Sequence, residues 1–141
     1  CIGDGSFSGG SRAITRFLRS SGMPTDGLLV TDGSGLSRDN RVSARTLAAL
    51  LRFMAARKEY RTFRSTLAVA GESGTLERRL GARATDGRVW AKTGTIDGVS
   101  TLSGYVDARS GKRFAFSILI NGGGGSRRRS IDRFVETLAG S

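Results

Sequence analysis

Two dipeptides, Asp97-Gly98 and Ser110-Gly111, separate strand-length runs in the second half of this chain and restrict what it can become. The runs span residues 88–95, 100–107 and 113–121. Glycine supplies the positive φ that a tight turn needs, and connections this short join only antiparallel neighbours. The spacing therefore predicts a three-stranded antiparallel meander. Its last strand, Phe114-Ala115-Phe116-Ser117-Ile118-Leu119-Ile120, reads as the most buried.

The first half reads as helical. Residues 4–10 are a loop by composition, and Ser11 is expected to cap a helix with Ala13, Ile14, Phe17 and Leu18 on one face. Arg12, Arg16 and Arg19 occupy the opposite face; Ser20-Ser21-Gly22 ends the helix and Pro24 prevents its continuation. Leu28-Leu29-Val30 is a short buried strand or extended run, and the glycines of Asp32-Gly33-Ser34-Gly35 make that segment irregular. Ser43 is the expected N-cap of a second helix carrying Leu47, Leu50, Leu51 and Met54. A shorter helical stretch covers residues 60–67, and a loop from Gly71 leads into a helical turn at residues 76–80. Residues 122–125 form a flexible break before a last helix, started by Ser126, with Ile131, Phe134, Val135 and Leu138 inward. The expected fold is an α+β layer, a single domain over residues 1–141, and 38% hydrophobic content suffices for a modest core.

Composition removes several kinds of chemistry. With no histidine, Ser-His and Cys-His catalysis and most zinc sites are excluded. Cys1 has no second cysteine to pair with and is expected to be inert; no metal or cofactor is anticipated. A net charge of +11 invites a nucleic-acid reading. The basic residues are scattered arginines, with one run at Arg127-Arg128-Arg129 and no interleaved aromatics for stacking bases, so nucleic acid is not the expected partner. No run of about 18 apolar residues is present to span a membrane. Cys1-Ile2-Gly3-Asp4-Gly5 shows no signal peptide, and its opening without methionine reads as a truncation.

Chemistry concentrates at Lys92-Thr93-Gly94-Thr95, on the first strand of the meander. Alternation puts Lys92 and Gly94 on one face, Thr93 and Thr95 on the other. Gly94 allows close approach of a ligand backbone, and N–H groups along an open edge can bond a peptide laid beside them. Lys92 supplies positive potential for a carboxylate and can tune proton transfer. Taken alone, the tripeptide reads first as a surface hairpin with an exposed lysine, since such tripeptides are common by chance.

Lys-Thr-Gly on a strand edge resembles the third motif of the penicillin-recognising serine acyl-transferases. A longer resemblance runs from Asp32-Gly33-Ser34-Gly35-Leu36-Ser37-Arg38-Asp39-Asn40 through Leu67-Ala68-Val69-Ala70-Gly71 and Gly74-Thr75-Leu76. It continues over residues 89–100, Leu102-Ser103-Gly104-Tyr105-Val106 and the strand ending at Asn121. Together these segments resemble the S13 peptidases, the D-alanyl-D-alanine carboxypeptidase/endopeptidases among low-molecular-mass penicillin-binding proteins. The resemblance implies the C-terminal part of the serine β-lactamase/DD-peptidase fold. It implies a periplasmic enzyme that acts on peptidoglycan stem peptides ending in D-Ala-D-Ala through an acyl-serine, which β-lactams trap. Lys92 would then bind the substrate carboxylate and support catalysis, and Thr93 would offer its hydroxyl to that carboxylate. Thr95 would give its backbone N–H to the oxyanion hole.

The family's Ser-x-x-Lys is missing: Ala55, Val89 and Arg109 stand three residues before Lys58, Lys92 and Lys112. So is Ser-x-Asn, since Arg38 and Leu119 stand two residues before Asn40 and Asn121. In related chains both motifs, with the first strands and the N-terminal helix, precede the position of Cys1. Strand 114–120 would then present an apolar edge. Ser34 and Ser37 have no lysine three residues on, which leaves them turn or capping roles. The chain by itself is expected to be inactive. The rival readings are a β-lactamase or esterase on the same fold, a basic module binding anionic polymers, and a non-enzymatic remnant of the fold.

Overall fold

In the computed structural model residues 5–122 and 126–141 are described, so Cys1 and most of the 122–125 break lie outside the described residues. The elements run α1 (Phe7–Ser20), α2 (Ala44–Ala55), α3 (Tyr60–Ser65), β1 (Ala68–Val69), a 3-10 turn (Gly74–Leu76), β2 (Val89–Ile96), β3 (Val99–Asp107), β4 (Arg113–Asn121) and α4 (Arg127–Gly140). The chain divides into two compact units, Cys1–Leu50 and Leu51–Ser141.

In the first unit, α1 begins five residues before the expected position, capped by Ser6 in place of Ser11. Ser6 is extended, and its Oγ accepts the Gly9 N–H at 3.0 Å, which satisfies an amide the helix leaves unpaired. That cap carries the helix through Gly9-Gly10, residues whose propensity argues against it by about 1 kcal/mol each. Ser11 lies inside the helix, and its Oγ donates back to Phe7 O at 2.9 Å. Of the four apolar residues expected inward, Leu18 is buried, Ala13 is half-buried, and Ile14 and Phe17 stay exposed. Gly22, at φ 71, ends the helix with its N–H on Arg19 O. Leu29 and Arg41 exchange two backbone hydrogen bonds in a single bridge. Leu29 is 48% exposed, so this is an extended run and not a buried strand. Ser43 caps α2 as expected, its Oγ accepting the Thr46 N–H at 3.0 Å, while Thr46 Oγ1 donates to Pro24 O at 2.9 Å.

In the second unit, the three predicted strands are β2, β3 and β4, and a fourth precedes them. The sheet order is β1-β2-β3-β4, antiparallel throughout. β1 adds two pairs, Ala68↔Ala91 and Val69↔Trp90, and so covers only the first half of the outer edge of β2. Gly98 and Gly111 turn at φ 77 and 80, as their positions in the hairpins require.

One face of the sheet buries Val89, Ala91, Leu102 and Phe116 against Ile131 and Val135 of α4. Burial on α4 falls at Ile131, Val135 and Ala139, and that spacing turns Phe134, expected inside, 53% toward solvent. On the other face Tyr105 is fully buried, with the rings of Tyr60 and Phe63 edge-on to it at 5.2 and 6.5 Å. Its hydroxyl donates to Leu51 O at 2.7 Å, and burial pushes the phenol up to about 12. The helical turn expected at residues 76–80 is the 3-10 turn at Gly74–Leu76. Leu80 instead takes φ 57, and the buried Thr85 hydroxyl donates to its carbonyl.

Candidate active site

Two hydrogen bonds set the orientation of every amide in β2. Ala70 N–H donates to Val89 O on one side, and Asp107 N–H donates to Arg88 O on the other. Because peptide groups alternate along a strand, odd-numbered residues of β2 turn their N–H and C=O toward the β1 side. β1 ends its pairing at Ala91, so Thr93 and Thr95 present their backbone groups along an edge with no partner strand among the described residues.

The four sequence-predicted residues stand at this edge. The Lys92 side chain is exposed and folds over the edge, its Nζ donating to Thr93 O at 2.7 Å. Thr93 Oγ1 donates to Thr75 Oγ1 at 2.9 Å. Gly94 pairs with Thr101, whose Oγ1 occupies the space a side chain at Gly94 would need and donates to Gly94 O at 3.5 Å. Register places Lys92 beside Ser103 and Ser103 beside Ser117, and those two hydroxyls bond to each other at 2.8 Å. Next along this face, the Arg64 guanidinium lies 3.5 Å above the Trp90 ring, a cation–π contact. The edge therefore offers two outward amides, a cationic side chain and a pair of hydroxyls, a set suited to a peptide that ends in a carboxylate.

Thr75 was placed in a loop by the sequence and given no role. Its only sequence signal is the Gly74-Thr75-Leu76 segment, since a contact 18 residues away leaves no local pattern. The Asp32 loop belongs to the other unit. Asn40 Nδ2 donates to Asp32 Oδ1 at 3.0 Å, and Ser34 Oγ donates to Asp32 Oδ2 at 3.0 Å. These bonds, Asn40 first, hold the Asp32 carboxyl below its ordinary range. Ser34 Oγ also accepts the Leu36 N–H, and Ser37 Oγ accepts the Asp39 N–H, so both serines close turns. Among the described residues no cluster of His, Cys, Asp or Glu could hold a metal ion, and no helix is long and apolar enough to cross a membrane. The arginine run starts with Arg127, whose Nη1 donates to Gly98 O and Gly122 O and ties the start of α4 to the β2–β3 turn.

Comparison with known proteins converges on one family. Residues 2–139 match the family described as D-Ala-D-Ala carboxypeptidase 3 (S13). A D-alanyl-D-alanine carboxypeptidase of Actinomadura sp. (strain R39) is 44% identical over 128 residues, which cover 87% of this chain and 24% of the relative. Carboxypeptidase DacB of Mycolicibacterium smegmatis is 37% identical over 139 residues, covering 94% of this chain and 30% of its own length. Among solved structures, penicillin binding protein 4 (dacB) of Haemophilus influenzae, complexed with a β-lactam, superposes with a TM-score of 0.82 at 31% identity. That match covers 94% of this chain and 33% of the other. The chain thus spans 24–33% of the length of these relatives, and its α+β fold is that of a penicillin-binding protein. It belongs to the S13 family of D-Ala-D-Ala carboxypeptidases.

Proposed function

We propose that this chain is the C-terminal part of a periplasmic serine D-Ala-D-Ala carboxypeptidase/endopeptidase that acts on peptidoglycan stem peptides. The observation that carries the reading is the uncovered edge of β2, where Lys92, the Thr93 hydroxyl and the outward amides of Thr93 and Thr95 stand together. A stem peptide enters along this edge as an added strand, with Gly94 between the two threonines. Lys92 and Thr93 hold its C-terminal carboxylate. Thr95 N–H receives the charge that develops on the scissile carbonyl oxygen when the serine of the complete protein attacks. The scissile C–N bond then breaks, the terminal D-Ala leaves as an amine that takes up the proton lost by the serine, and water hydrolyses the acyl-serine; a β-lactam, which presents the same carboxylate and carbonyl, is held at the acyl stage.

The reading is tested in the complete protein by the gain in intact mass with benzylpenicillin. A stoichiometric adduct is expected, on a serine followed three residues later by lysine, upstream of Cys1. Lys92→Ala should slow its formation by roughly 100-fold, the scale of one strong hydrogen bond between a cation and a bound carboxylate. Thr95→Pro should do the same, because Thr95 N–H faces the open edge and its loss breaks no ladder bond. A gene that begins at Cys1, or a complete protein without an adduct, would overturn the reading.

A further inference from the structure

We propose that Thr75 is a positioning residue for the Thr93 hydroxyl, the two acting as one unit on a carboxylate-terminated ligand at the edge of β2. This deepens the function proposed above and rests on it. The two oxygens are 2.9 Å apart, with Thr93 donating. A hydroxyl has one proton, so Thr93 bonded in this way has none to give a ligand. When a carboxylate binds, the pair reverses, Thr75 donating to Thr93 and Thr93 to the carboxylate. The incoming bond polarises the Thr93 hydroxyl and strengthens its donation, so Thr75 acts through Thr93.

The loop that carries Thr75 is built to hold it there. Leu76, its neighbour, is fully buried in the core beside the sheet. Gly71 N–H bonds Leu76 O, Ser73 N–H bonds Val69 O, and Val69 N–H bonds Ser73 Oγ, all within 3.1 Å. Gly74 sits at φ 57, and a Cβ there would lie 3.1 Å from Ala68 Cβ. The loop is thereby stitched to β1, the strand whose early end leaves the edge of β2 open. Thr75 itself remains exposed. In water a hydroxyl pair at the surface contributes little. Its effect arises when a bound ligand excludes water and leaves the two hydroxyls and a carboxylate to satisfy one another.

A double-mutant cycle in the complete protein tests this, read as the second-order rate of acylation by benzylpenicillin. Thr75→Val should lower that rate about 10-fold, the scale of one hydrogen bond to a charged group. Thr93→Val should lower it at least as far, and the double variant should be no slower than Thr93→Val alone. Thr75→Ser, which keeps the hydroxyl, should restore the rate to within about twofold of the unaltered protein. Losses that multiply in the double variant, a Thr75→Val rate equal to the parent, or failure of Thr75→Ser to rescue would each overturn the proposal. Thermal melts accompany each variant, and Thr75→Ala replaces Thr75→Val in the cycle if valine is not accommodated. An unaltered protein that forms no adduct would remove the proposed function and this inference together, an outcome distinct from any result among the variants.

Discussion

At the scale of single residues, the sheet is most sensitive where its backbone leaves no room. Gly104 pairs with Ala91 on one side and Phe116 on the other, and a Cβ there would meet the Trp90 carbonyl and lie 2.6 Å from Ala91 Cα. Neither is the end of a flexible side chain, so Gly104→Ala should destabilise the protein by about 3 kcal/mol, read as a shift in urea midpoint. Gly94 differs, because only Thr101 Oγ1 crowds its missing Cβ and the next atom is 3.7 Å away. A turn about χ1 clears that hydroxyl, so Gly94→Ala should cost about 1 kcal/mol or less. The sequence offered ligand approach as the reason for glycine at 94, and the packing adds a milder internal one. Tyr105 gives a pH signature. Its phenol, raised to about 12 from 10.0, favours the neutral form in the fold. The stability this provides is complete below pH 10 and lost as pH rises through about 12. Tyr105→Phe forfeits the bond to Leu51 O but should lose less stability than the parent over that interval, as urea midpoints on either side would show.

Between elements, α4 is fixed to the segment before β2 by an ion pair that no local pattern announces. Arg79 Nε and Asp132 Oδ1 are 2.8 Å apart, their side chains 11% and 19% exposed, and Arg79 Nη2 is buried without a hydrogen bond among the described residues. Asp132→Ala would strand a largely buried guanidinium and should cost about 3 kcal/mol, whereas Arg79→Met with Asp132→Leu should recover most of that loss. Chemical denaturation of these two variants beside the parent decides it, and equal losses in the single and double variants would contradict a desolvated pair. The long strands were readable because period-two alternation and two glycine turns bound them on both sides. β1 was not, since two residues carry no period and pair only because β2 is there to receive them. α1 was misplaced for a related reason. The Gly9-Gly10 pair opposes a helix locally, and the Ser6 cap that overrides it lies in a segment that is loop by composition. Phe134 fitted an inward stripe by spacing alone, and the seat taken by α4 turned it out.

Across the whole chain, the candidate site was legible as far as its residues are contiguous. Lys92 to Thr95 lie in one tetrapeptide, and the alternation of a strand predicts which face and edge each addresses. Thr75 became visible only when folding set the loop against β2. The same geometry argues for what the chain does alone. Activation of a serine by lysine requires the two side chains within hydrogen-bond reach. The serine that register places beside Lys92 is Ser103, and its hydroxyl is bonded to Ser117, while Lys92 Nζ is bonded to Thr93 O. Ser34 and Ser37 are occupied in turns. In none of these hydrogen bonds does a serine hydroxyl meet a lysine amine. The 141-residue chain incubated with benzylpenicillin should therefore keep its mass, in contrast to the adduct proposed above for a longer chain. A stoichiometric adduct on Ser103 would mean that Lys92 swings from Thr93 O to its cross-strand neighbour. It would move the nucleophile of this family's chemistry into the sheet itself.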